Sequence, residues 1–174
     1  MRALLDGLYR ASGVAAAVCL ALIAALVLVQ IVGRMLGLLV PGTDDIAGFL
    51  LVATSFLALA HTLKAKAHVR VELVLHRLSP DVRRPIELAA LAVAALIIGY
   101  FAYFTIELAW LSWDFGDMSQ GIVAIPLWIP QGIMALGLII LAIALLDEFV
   151  LVLRGRVTVA EVEGLGERGA SSAE

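Results

Sequence analysis

The feature that most limits this chain is where its charges are missing. Four stretches, 11–33, 46–63, 88–106 and 118–146, hold no Asp, Glu, Lys or Arg over 18 residues or more. A bilayer core about 30 Å thick takes roughly 20 apolar residues of helix to cross, at 1.5 Å rise per residue. Four such runs in 174 residues leave little chain for anything else. No soluble catalytic domain fits beside them. Lipid offers no partners to free backbone N–H and C=O groups, so helices are the economical way across. The runs also lack the alternation of barrel strands. The fold class expected is therefore an all-α integral membrane protein, a compact bundle of four transmembrane helices. These lie roughly over 11–34, 45–64, 85–113 and 126–150 and form one membrane domain over 1–156.

Composition agrees, with 63% hydrophobic residues against about 45–50% apolar usage in soluble domains. The net charge of −3 is spread over loops and tail and argues against a nucleic-acid partner. Cys19 stands alone within the first run, which excludes an intramolecular disulfide. That run covers 23 residues, longer than the roughly 7–15 of a secretory signal's apolar core, so it reads as a retained spanning helix.

The basic residues set the expected orientation. Arg2 and Arg10 precede the first helix. Lys64, Lys66, Arg70, Arg77, Arg83 and Arg84 fall between the second and third, and Arg154, Arg156 and Arg168 follow the fourth. Eleven of the twelve Lys and Arg thus share one side, with only Arg34 on the other beside Asp44, Asp45, Asp114 and Asp117. The positive-inside rule then places both termini and the central loop in the cytoplasm. Trp110, Trp113 and Trp128 fall at the outer helix ends, where amphipathic rings prefer the interface.

Local signals fill in the links. Pro41-Gly42 marks a turn, and Thr43, Asp44 and Asp45 open the second helix, where a cap and negative charge suit the helix N-terminus. In the central loop, Val71, Val74, Leu75 and Leu78 recur at helical spacing between Arg70, His76 and Arg77. This pattern predicts a short segment lying at the membrane interface. Ser79-Pro80 starts the third helix, and Pro85 is expected to bend it. Ala92, Ala95, Gly99 and Ala102 form a small-residue stripe, which makes Ala95 and Gly99 candidates for close helix packing. Residues 157–174, rich in Gly, Ala, Ser and Glu, read as a disordered cytoplasmic tail.

Little of the chain suggests chemistry. His61, His68 and His76 lie at or beyond the inner end of the second helix and read as interfacial. No H-E-x-x-H pair or Gly-rich phosphate loop occurs. Ionisable groups at mid-membrane normally mark an ion or substrate path. Here the helix centres carry none, and Glu107 falls near the outer interface. Gln30 is placed to hydrogen-bond to a neighbouring helix. The residues alone describe a non-catalytic membrane bundle, with no catalytic residue, cofactor or metal site expected.

Four separated motifs then carry a resemblance. Asp44-Asp45-Ile46 leads through Phe56-Leu57-Ala58 to Lys64-Ala65-Lys66-Ala67-His68-Val69-Arg70-Val71-Glu72. Arg34 closes the first helix, and Ile125-Pro126-Leu127-Trp128 opens the last. This order resembles the small permease subunit of the tripartite ATP-independent periplasmic (TRAP) transporters. Ala58 and Lys66 stand where that family usually has glycine, and Gly48 where arginine is frequent.

The resemblance implies a subunit of a sodium-coupled importer of small organic anions such as carboxylates, in the bacterial inner membrane. A periplasmic substrate-binding protein would deliver substrate to a large, elevator-type permease subunit, and this chain would be the fixed scaffold beside it, among membrane lipids. It also marks Arg34, Asp44, Asp45, Lys64, His68, Arg70, Glu72, Pro126 and Trp128 as structural or partner contacts. Arg34 is expected to pair with Asp44, with Asp45, or with a charged group on the large subunit. The alternative is a haem- or quinone-binding membrane anchor of a redox complex, which a Soret band would reveal.

Overall fold

The computed structural model describes residues 2–38, 41–64 and 80–154. It contains four helices, α1 (Arg2–Met35), α2 (Thr43–Lys64), α3 (Pro80–Asp114) and α4 (Trp128–Leu153). Each is long and apolar enough to cross a membrane. The interfacial segment expected in the central loop lies outside the described residues, as do the tail and His68, Arg70 and Glu72.

α1 starts well before the first uncharged run and includes Arg2, Asp6 and Arg10. Its far end closes on Gly37, whose φ of 73° suits a residue without a side chain. There the Gly37 N–H donates to the Arg34 carbonyl and the Leu38 N–H to the Gly33 carbonyl, 3.2 and 2.8 Å. α3 ends the same way, with Gly116 at φ 64°. Gly116 donates to Trp113 and Asp117 to Ser112, 3.3 and 3.0 Å. Both are Schellman caps, which use up carbonyls that the last helical turn leaves free. Pro85 lies within α3, which continues through it.

Packing departs from the compact bundle expected. α1 lies along α2, α2 along α4 and α4 along α3, while α1 and α4 meet at only a few residues. The helices thus form an open row, α1–α2–α4–α3, with α1 and α3 at its edges. Buried small residues line the contact of the inner pair. Ala53 and Ala60 of α2 and Ala135, Gly137 and Ala144 of α4 are buried. A methyl added to Gly137 would lie 2.7 Å from the Phe56 carbonyl carbon, so glycine there lets the α2 and α4 backbones approach.

One core cluster joins Tyr9, Ala60, Ile140, Leu141, Ala144 and Leu145, with Leu91, Ala94, Ala95 and Ile98 of α3 packed against it. A second, further along the row's inner helices, joins Ala16, Ala53 and Leu57, with Cys19 and Ile133 against it. Ala95 therefore packs within the chain. Gly99 does not, since a methyl there would meet open space.

Candidate functional site

Most side-chain hydrogen bonds between the elements of this row lie at its two ends; between them, Thr54 of α2 donates to the Ala16 carbonyl of α1 at 3.4 Å. At the end where α1 begins and α4 finishes (the proximal end), Lys64 closes α2 and donates to Asp147 and Glu148 of α4, 2.6 and 3.3 Å. All three side chains are roughly three-quarters buried, at 22, 24 and 26% exposure. The same ammonium lies 5.4 Å from the centre of the Tyr9 ring, within cation–π range. Tyr9 is 2% exposed and its hydroxyl has no hydrogen-bond partner among the described residues. One lysine therefore joins α1, α2 and α4. Just beyond, Arg84 at the start of α3 donates to the Leu153 carbonyl at 2.9 Å. The ring of His61 lies against Gly13 of α1.

At the opposite (distal) end, Asp44 and Asp45 occupy the first turn of α2 as expected. Each also reaches beyond its own helix. Gln30 of α1 donates to Asp44 at 3.1 Å, the cross-helix bond its position suggested. Asp45 accepts from the Ile122 and Val123 N–H groups, 2.8 and 3.3 Å, and so holds the loop that precedes α4. That loop is tied internally. The Ser119 hydroxyl donates to the Val123 carbonyl and accepts from the Ile125 N–H, 2.9 and 3.1 Å. Met118 and Pro126 form an isolated antiparallel bridge. Trp113 of α3 meets Trp128 of α4 edge to face, 4.8 Å between ring centres. Beneath them lies an apolar groove of about 330 Å³ between α3 and α4, lined by Ile106, Ala109, Gly132 and Ala135.

The spacing of the two ends has a physical meaning. Asp45 to Lys64 and Trp128 to Asp147 are each nineteen residues, or about 29 Å of helix. Tyr9 to Gln30 is twenty-one residues, or about 32 Å. Three helices therefore place their polar fastenings one hydrocarbon thickness apart.

The segment 12–155 matches the model of the DctQ component of the tripartite ATP-independent periplasmic transporters. The chain belongs to this family. It is thus a TRAP transporter small permease subunit, a multi-pass membrane protein of a transporter component family and not of an enzyme family. No curated protein matches it.

Within this DctQ component, several residues marked by sequence stand together. Asp44, Asp45, Pro126 and Trp128 are all at the distal end, and Lys64 anchors the proximal one. Arg34 stands apart. Arg34 makes no ion pair with Asp44 or Asp45, which accept instead from Gln30 and from the loop N–H groups. Sequence reasoning missed Tyr9, Asp147 and Glu148. A signal existed for the two acids, since they end an uncharged run at the same level as Lys64. Tyr9 had none.

Proposed function

We propose that this DctQ component is the stationary scaffold of a sodium-coupled importer of small organic anions, set in the inner membrane with both termini cytoplasmic. The large permease subunit carries the substrate and sodium sites and moves beside it, fed by a periplasmic substrate-binding protein. The observation that carries the scaffold reading is how the spanning helices use their charge. Lys64, Asp147, Glu148, Asp44 and Asp45 tie helices or a loop together at the membrane edges. Groups spent on holding helices in place suit a part that stays still, whereas a transport path places ionisable groups at mid-membrane. The one-sided distribution of Lys and Arg supports the orientation.

Co-expression with the large subunit tests the assembly. A tag on this chain should bring the large subunit down in stoichiometric amount, and its absence from the purified material would contradict the reading. Orientation is tested in a Cys19→Ser background. Gln120→Cys should react with an impermeant thiol reagent added from outside and Arg77→Cys should not; the reverse pattern inverts the topology.

A further inference from the structure

One face of α3 carries a pattern that none of these fastenings uses. Leu96, Tyr100, Tyr103, Glu107, Trp110 and Asp114 follow one another at alternating steps of four and three residues, and all are exposed. Such steps keep side chains on one line and are the spacing of a helix–helix seam. Leu96, Tyr100, Tyr103 and Trp110 are 74, 65, 64 and 72% exposed. The side of α3 that carries Ala94, Ala95 and Ile98 packs on α4, so the line from Leu96 to Glu107 points away from the row, while Trp110 flanks the α3–α4 groove.

Depth makes the line hard to leave in lipid. The Trp113–Trp128 pair marks the distal edge of the membrane. Glu107 is six residues inside it, about 9 Å, Tyr103 about 15 Å and Tyr100 about 20 Å. Among the described residues, neither tyrosine hydroxyl nor the Glu107 carboxylate has a hydrogen-bond or ion-pair partner. Acyl chains supply no acceptor at the depth of the tyrosines, and the membrane interface supplies no fixed countercharge to Glu107. Phe104 meets both tyrosine rings, 4.6 and 5.3 Å between centres, which pre-organises the surface.

We propose that this line is a docking seam for a transmembrane helix of the large subunit that presents a lysine or arginine to Glu107. Tyr100 and Tyr103 then hydrogen-bond to polar side chains of the same helix. The proposal rests on the scaffold-subunit reading and adds the surface and its charge. A second copy of this chain fits poorly. Its distal cation, Arg34, lies four residues beyond Gln30, so about 15 Å of membrane depth separates it from the level of Glu107.

The test uses the full chain co-expressed with the large subunit, with a photo-crosslinking phenylalanine analogue at Tyr103 or, for comparison, at Val14 on α1. Crosslinking from position 103 to the large subunit is expected. Glu107→Lys should lower the co-purified large subunit by roughly tenfold or more, and Glu107→Gln by a few-fold. Should Glu107→Lys fail to accumulate, the position-103 crosslink decides. Crosslinks from position 14 alone overturn the seam while leaving the subunit reading intact. Crosslinks from position 103 only to lipid or to a second copy overturn it as well. An unaltered chain that retains no large subunit overturns both.

Discussion

The two ends of the helix row are fastened by different chemistry. The proximal end is held by side chains meeting side chains, with one ammonium serving two carboxylates and an aromatic ring. The distal end, besides the Gln30–Asp44 and Trp113–Trp128 contacts, is held by a carboxylate meeting backbone, with Asp45 taking two N–H groups of a loop. The difference follows from what each end joins. The proximal fastening links the ends of three helices, where long side chains can span between axes. The distal one fixes the thirteen-residue loop 115–127, whose free N–H groups need acceptors. Charge pairs are sensitive to loss of one member, and backbone N–H donors to loss of the accepting carboxylate alone, so the two ends should fail differently.

The largest effect is expected at the proximal end. Lys64→Met leaves Asp147 and Glu148 facing each other at the membrane edge without a countercharge. Breaking a buried pair from one side costs about 3–5 kcal/mol, and with a quarter of each group exposed we expect about 2–3. Thermal or denaturant unfolding in detergent should show that loss, and Lys64→Met combined with Asp147→Asn and Glu148→Gln should regain most of it. A single loss undiminished by the triple change would mean the lysine acts through packing.

Next comes the contact between the inner helices, where Gly137 and Gly99 make a controlled pair. Gly137→Ala drives a methyl into the Phe56 backbone, an overpacking that should cost about 1–3 kcal/mol. Gly99→Ala adds a methyl in open space and should be neutral, or stabilising by up to about 1 kcal/mol through helix propensity. Equal destabilisation by the two would contradict the packing of the row.

The smallest effect is expected at the distal end. Asp45→Ala removes one acceptor from two loop N–H groups that lie near water, a cost of about 1 kcal/mol. Amide exchange should rise at Ile122 and Val123 and remain unchanged around Asp147. A global rise in exchange would show that the two ends are coupled.

Much of this architecture could be read from residues alone. Uncharged runs of membrane length define four helices because lipid permits few alternatives, and the acidic pair at Asp44 and Asp45 does open α2. The order of the helices in the row could not be read. All four are apolar around most of their circumference, so no face announces its neighbour. Ala95 and Gly99 illustrate the limit: both belong to one small-residue stripe, yet one packs against the α4 core and the other faces away. The partners of Asp45 were hidden for another reason. A carboxylate in the first turn of a helix has a local use, and nothing in sequence shows that it serves a loop 77 residues away.

The central claim is that this chain holds a transporter together without moving solute itself. Reconstitution into proteoliposomes under a sodium gradient tests it directly, comparing this chain alone with the assembly of both membrane subunits supplied with the binding protein. The account predicts saturable uptake of a small organic anion only by the complete assembly. Saturable uptake by this chain alone would contradict it.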